Sequence, residues 1–502
     1  MTTIAKKSFL IMASNVLAAV IGFIALTSMT RFVGQEYGSL MWAMSFVATF
    51  NAISDLGFSS AHVKKVSEGQ DLPSCISTFT VVKLALTGLM VLGTLGFLFI
   101  YTGPMGKTIF SANMEVLLLF VLYWALCDVS SIFVTTYNAK RESSKSELIH
   151  LADPLIRSPL LVILAIGQMS AFHLALAYVV GALCMVAVGF WLMSRDGVRY
   201  GRPVFVRSYV RFAKPLILIT VIGAMLASVD KVILGFFWDD LQVGYYTSSY
   251  KLVELMLTFG AAINVLLFPT FSEWHSKGQT EEIGPVSNEA QRFISMIGMP
   301  VTAFLVVFSF PVSRIVFGPG FTESGGPMFY MAMALYVALL VGIFEQIVLA
   351  YNRPDLMMRI FIIRMTVNMV FIGLLVPTSI FGVPMAGMQA SGTALAFLCG
   401  LLVYGAMVIS TVHRISGLWP YPRLWLHLVG GAFTVAVLFI LSQFYSMDGG
   451  LDLLALAVLT EMLFFGFLAL AREFRRKDLE MILSALDPRS MLQYIRDENR
   501  KN

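Results

Sequence analysis

The chain has 502 residues, 58% of them hydrophobic and only 13% charged, with a mean hydropathy of +0.79. That content excludes a water-soluble domain, and a net charge of +5 carried mainly by short loops excludes a nucleic-acid-binding protein. Four scattered cysteines, Cys75, Cys127, Cys184 and Cys399, indicate neither disulfides nor a metal centre.

A helix rises about 1.5 Å per residue, so roughly 20 apolar residues cross about 30 Å of hydrocarbon. Cut by that rule, the first half predicts spans at 8–30, 38–58, 76–101, 112–138, 148–168 and 172–194. The second half predicts 213–237, 243–270, 290–317, 326–351, 354–376, 382–411, 424–445 and 451–471. The fold class expected is an all-α polytopic membrane protein with fourteen transmembrane helices. Span 1 is long, lacks a small-residue cleavage site and runs into Arg31, so it reads as retained rather than as a signal peptide.

Six spans return a chain to the side from which it started, so two such units are parallel repeats. Val20-Ile21-Gly22 in span 1 is matched by Val221-Ile222-Gly223 in span 7, and Tyr37-Gly38 by Gly244-Tyr245. The expected organisation is an N-lobe at 1–194, a basic linker at 195–212, a C-lobe at 213–411, two appended spans at 424–471 and a tail at 472–502. In the gaps 194–214 and 271–290, stretches suited to lying amphipathically on the membrane surface are expected. Leu479, Ile482, Leu483 and Leu486 predict a surface helix in the tail, ended by Asp487-Pro488.

Basic residues near span ends resist translocation and stay in the cytoplasm. Lys64, Lys65, Lys140, Arg141, Arg195, Arg207, Arg211, Arg353, Arg414 and Arg423 share one side, whereas Arg31, Lys107 and Arg314 stand on the other beside Glu36, Asp239, Asp240 and Glu323. Both termini are therefore expected in the cytoplasm of a cell-membrane protein. The basic loops face anionic headgroups of the membrane lipids.

A charge at bilayer depth costs about 2.5–3.5 kcal/mol, so such groups face a partner or a wet cavity. Lys83, Asp128 and Arg157 share a depth on spans 3, 4 and 5, and Asp128 continues into a stripe with Ser131 and Thr135. The second half carries Asp230 and Lys231 on span 7, then Lys251 and Glu254 on one face of span 8 with Thr258. Asp230 and Lys231 project about 100° apart, so only one of them can point straight into a cavity. Arg364 and Asn368 share a face of span 11, with Glu345 on span 10. Structural ion pairing accounts for Lys83 with Asp128, Asp230 or Glu254 with Lys251, and Glu345 with Arg364. The functional reading makes Lys83, Arg157, Lys231, Lys251, Arg364 and Arg31 the contacts of an anionic headgroup. Asp55, Asp128, Asp230, Glu254 and Glu345 then serve in ion coupling or pairing. Arg31 at a span end also fits snorkelling to the interface, and Asp55 fits a helix cap.

Three other signals fail. Gly106-Lys107-Thr108 lacks the first glycine of a nucleotide-binding loop, because Tyr101 stands there, so no nucleotide is expected. Asp239-Asp240 without further ligands reads as a solvated turn. The six histidines sit near span ends with no metal-binding spacing, which argues against an integral hydrolase. No catalytic residue and no cofactor are expected.

Arg31-Phe-Val-Gly34-Gln-Glu-Tyr37-Gly38, Asp55-Leu56-Gly57, Asp230-Lys231 and Phe317-Gly318, in that order and at those positions, resemble the pattern of oligosaccharide flippases of the polysaccharide transporter family. The resemblance covers about the first 410 residues; the tail from Glu473 to Tyr494 is similar to that of archaeal members. It implies membership in the multidrug/oligosaccharidyl-lipid/polysaccharide exporter superfamily, two six-helix lobes in a V and alternating access. It also implies a lipid-linked oligosaccharide carried to the outer leaflet, commonly with a proton or sodium gradient. A cation-coupled drug exporter of the same superfamily and a membrane-integral glycan polymerase are the alternatives, the latter disfavoured by the short external loops.

Overall fold

The computed structural model describes residues 2–102, 114–445 and 449–474, without the side chains of 2–13, 101–102, 215, 218–219, 224–227, 258–259, 261–263 and 265–266. Gly106 to Thr108, the predicted tail helix and the side chain of Thr258 fall outside the described residues. The first half contains α1 (Thr2–Phe32), α2 (Gly34–Asn51), α3 (Phe58–Ser67), α4 (Leu72–Thr102), α5 (Met114–Ala139), α6 (Ser143–Ile166) and α7 (Ala171–Arg195). A short α8 (Val206–Ala213) leads to α9 (Ile217–Phe237), α10 (Asp240–Ser276), α11 (Ile283–Phe317), α12 (Gly325–Ala350), α13 (Pro354–Leu375) and α14 (Gln389–Ser416). The described chain continues with α15 (Leu424–Ser442) and α16 (Gly450–Leu470).

Among the described residues, eleven stretches are long and apolar enough to cross a membrane; α2, which opens Gly-Gln-Glu and ends in Asn51, is not one of them, nor are α9 and α10. Leu92, Phe99, Ile163 and Phe190 are 65% or more exposed, as side chains bathed in lipid are. Helices in lipid gain little from burying one another's apolar surface and associate through close packing instead.

Helices α1, α2 and α4–α7 pack on one another, as do α9–α14. The two sets meet where α2 lies against α9 and α10, and where α1 lies against α10 and α11; α15 and α16 pack together on α11.

Four boundaries differ from expectation for identifiable reasons. Span 2 stops at Asn51, because a 3-10 turn and the left-handed Leu56 (φ 46°) and Gly57 (φ 86°) reverse the chain into α3, which the apolar pattern did not announce. Asp55 caps α3, accepting from Gly57 N at 3.1 Å and Ser59 N at 3.2 Å. The predicted loop at 271–290 is short, since α10 runs on to Ser276 and α11 starts at Ile283, leaving a turn between them. Span 12 starts late, because Gly382 (φ 81°) and Pro384 instead form a two-stranded hairpin, Ser379–Ile380 with Val383–Pro384. Asp240 is also no solvated turn residue. Asp239 caps α10 through Gln242 N at 2.9 Å, while Asp240 is 4% exposed and accepts from Ser39 of α2.

Candidate functional site

A cavity of about 600 Å³ lies between the two sets of helices, lined by α1 from Asn15 to Met29 and by α2, α5, α6, α7, α9 and α10. From Asn15 to Met29, fifteen residues, α1 rises about 21 Å, a large share of the roughly 30 Å of a bilayer's hydrocarbon. Three of the six predicted cations line it: Arg157 from the first set, Lys231 and Lys251 from the second.

Each of the three has its own carboxylate. Arg157 meets Asp153, one turn earlier on α6, at 2.9 Å, and its guanidinium stacks 4.5 Å from the Tyr178 ring centre. Pro154 and Pro159, which lack amide donors, flank this arginine within the helix. Helix α7 approaches closely here: a methyl on Gly181 would overlap Asp153 Oδ1 and come within 3.0 Å of Arg157 Cβ.

Lys231 turns back on Asp230, Nζ to Oδ1 at 3.3 Å, and lies 4.9 Å from the Tyr250 ring centre. Asp230 Oδ2 accepts from the Tyr246 hydroxyl, so the carboxylate is held against α10 while the lysine faces the cavity. Lys251 pairs with Glu254 one turn along α10, both side chains about half exposed to the cavity. Of the three carboxylates only Glu254 itself lines the cavity, so its wall carries three cations and one carboxylate.

The remaining predicted residues lie elsewhere. Lys83 and Asp128 form a buried pair at 2.9 Å with Ser54 and Thr87, away from the cavity. Arg364 stacks 5.1 Å from Tyr404 and 5.4 Å from Phe397, and Glu345 accepts from Tyr404 Oη at 2.8 Å. Tyr404 thus stands where a direct Glu345–Arg364 pair was expected. Arg31 donates to the Ile315 carbonyl oxygen and lines a separate notch of about 330 Å³ with Thr27 and Ser28.

Around the cations stand aromatic groups that charge-based reading passed over: Tyr37, Trp124, Tyr178 and Tyr250. Asp153 was legible four residues before Arg157; the aromatic residues carried no signal, since an apolar span is full of rings.

At the end of the helices marked by Gly34 and Phe321 the two sets pack tightly together. Phe321, 1% exposed, is held edge-on between Tyr37 and Tyr245, with centroids at 6.0 and 5.2 Å. Gly34 packs on the same ring, and Gly318 packs on Arg31. Glu36 meanwhile caps α7 by accepting from Ala171 N at 2.8 Å.

Residues 28–325 match a family model described as polysaccharide biosynthesis protein. The probable low-salt glycan biosynthesis flippase Agl15 of Haloferax volcanii is 22% identical over 416 residues, 82% of this chain and 84% of its own length. The probable flippase AglR of the same organism is 26% identical over 266 residues, 51% and 53% of the two chains. Among solved structures, the lipid II flippase MurJ in an inward closed conformation superposes with a TM-score of 0.73 at 12% identity, over 90% of this chain and 97% of that one. An inward-facing multidrug resistance MATE family transporter of the MOP superfamily gives 0.63 at 12% identity, over 80% and 96%. The last two establish a shared fold.

Proposed function

The chain belongs to the polysaccharide biosynthesis protein family, and on that premise we propose that it is a flippase moving a lipid-linked oligosaccharide from the cytoplasmic to the outer leaflet. The observation that carries this reading is the cavity between the two helix sets, lined by Arg157, Lys231 and Lys251 and walled by aromatic rings. An unassisted sugar would lose several kcal/mol for each hydroxyl stripped of water in hydrocarbon, and a polar chamber removes that barrier. The names of the two haloarchaeal relatives support a flipping role.

In this reading α1–α7 and α9–α14 are two lobes of six spans each, fourteen with α15 and α16, and both termini are cytoplasmic. The headgroup enters the cavity while the lipid tail stays in the bilayer, and rocking of the lobes breaks the seal at Phe321. An arriving phosphate competes with Asp153, Asp230 and Glu254 for their cations. A proton or sodium ion taken by Glu254 or Asp230 frees Lys251 or Lys231 for the headgroup, which gives a route for ion coupling. Outward movement of each negative charge against an interior-negative potential gains about 2.3 kcal/mol per 100 mV, enough to bias direction. Lys83 with Asp128 holds the first lobe together and stays outside the transport path.

The test is transbilayer movement of a fluorescent lipid-linked oligosaccharide in proteoliposomes of the purified protein. The wild type accelerates it, and Lys231→Gln with Lys251→Gln abolishes it. Transport of a cationic dye in place of the lipid would favour a drug exporter, and unchanged flipping by a folded double variant would remove both lysines from the mechanism.

A further inference from the structure

Among the described residues, four buried polar atoms on residues lining the cavity have no hydrogen-bond partner: Tyr37 Oη, Thr247 Oγ1, Trp124 Nε1 and Arg157 Nε. Tyr37 and Thr247 are 1% and 2% exposed. Buried polar groups are nearly always satisfied, because leaving one orphaned costs about 1–3 kcal/mol. Here the four orphans belong to residues of α2, α10, α5 and α6 that line one chamber. By helical rise they lie about 5–15 Å from the nearer ends of their four separate helices.

Their chemistry is uneven. Indole and guanidinium N–H groups only donate, while each hydroxyl offers one donor and two lone pairs. Such a set satisfies a ligand rich in accepting oxygens that can return a donor or two. The rings of Tyr178 and Tyr250 beside it supply flat apolar faces. An inorganic cation would find no carboxylate among the four, and a purely apolar ligand would leave all four unsatisfied.

We infer that Tyr37, Thr247, Trp124 and Arg157 Nε form a hydrogen-bonding subsite for the acceptor oxygens of the transported headgroup, separate in chemistry from the charge contact made by Lys231 and Lys251. This rests on the flippase reading above and adds to it the groups that recognise oxygen rather than charge. The oxygens are those of sugar hydroxyls or of phosphate.

The experiment compares binding by the full-length protein in lipid nanodiscs, using calorimetric titration with two probes: an uncharged alkyl disaccharide and a sugar-free prenyl diphosphate. Tyr37→Phe and Thr247→Val remove the hydroxyls and keep the shapes. The double variant is expected to bind at least one probe about tenfold more weakly, as two lost hydrogen bonds predict, with an unchanged or higher melting temperature. A loss confined to the disaccharide assigns the subsite to sugar hydroxyls, and one confined to the diphosphate assigns it to phosphate. Equal affinity in wild type and double variant overturns the subsite. So does a lowered melting temperature, which would mean that the hydroxyls serve the fold. Both leave the flippase reading standing, whereas a wild type that binds neither probe counts against the subsite and that reading together.

Discussion

Lys83 Nζ lies 2.9 Å from Asp128 Oδ1, linking α4 to α5 with side chains only 3% and 6% exposed. Ser54 Oγ donates to the same carboxylate at 2.8 Å and Thr87 Oγ1 at 3.0 Å, so both carboxylate oxygens are satisfied. Removing one partner of such a pair strands the other charge, whereas replacing both with apolar groups is close to neutral. Lys83→Met alone should therefore cost about 3–5 kcal/mol, and Lys83→Met with Asp128→Leu should recover most of it. Thermal unfolding in detergent measures both. The folded double variant should still flip lipid, which separates this pair from the cavity lysines.

His62 gives a pH dependence of definite sign. Its ring nitrogens lie 2.9 Å from Tyr209 Oη on α8 and 3.1 Å from Thr136 Oγ1 on α5, and its ring stacks on Phe79 at 4.5 Å. Burial pushes the imidazole down to about 4 from the ordinary 6.5. Above pH 6.5 the folded and unfolded chains are both neutral at this site, and its contacts cost nothing. Between 6.5 and 4 the unfolded chain takes up a proton that the folded chain refuses, so stability falls by up to roughly 3 kcal/mol. Melting temperature should drop over that window, and less so in His62→Gln, which keeps hydrogen-bonding groups but does not titrate.

Most helices were legible because lipid imposes one rule on every span, a run of apolar residues of bilayer length. Alpha13, predicted at 354–376 and observed as Pro354–Leu375, shows how sharp that rule is when Pro354 starts the helix. The rule says nothing of the 10-residue α3, whose apolar Phe58 and Ala61 merge with the end of span 2. The site was legible only in part. Intramembrane cations announced themselves by their cost, and Lys83 with Asp128 was among the pairs expected, but the spacing does not say which cations pair away from the cavity and which, like Lys231, face it. That difference depends on helix rotation, which is set by packing contacts such as Gly181 against Asp153. The aromatic residues of the chamber were hidden among 40 phenylalanines and 17 tyrosines.

Glu473, just past α16, has no exposed side-chain surface and ties three segments together. It accepts from Arg292 Nε of α11 at 3.0 Å, Arg423 at 3.1 Å and Tyr421 Oη at 2.6 Å, while Arg292 also reaches its carbonyl oxygen at 2.7 Å. Burial alone would raise the carboxyl, but these donors outweigh it and hold it below the usual carboxylate range. The stabilisation is complete above pH 4.5 and is lost as pH falls through the depressed value. Glu473→Gln should cost about 3 kcal/mol by leaving buried positive charge uncompensated. It should also speed proteolysis between α14 and α15, and remove that part of the acid sensitivity seen in the wild type.

Close to Phe321, α2 and α10 touch backbone to backbone. A methyl on Gly38 would overlap the Asp240 carbonyl oxygen, and one on Gly244 would lie 3.3 Å from the Gly38 Cα. Neither obstacle is a side chain that can swing aside, so Gly38→Ala must part the helices or bend them. Overpacking of this kind costs about 1–3 kcal/mol, and under the proposed rocking that cost would fall only on the state in which these helix ends are closed. If the lobes rock as proposed, the variant shifts toward the outward-open state rather than simply losing stability. A cysteine placed at Tyr37 in a background free of other cysteines should then react faster with a membrane-impermeant thiol reagent in Gly38→Ala than without it. Equal labelling, with the melting temperature lowered, would make the contact a packing feature with no part in gating.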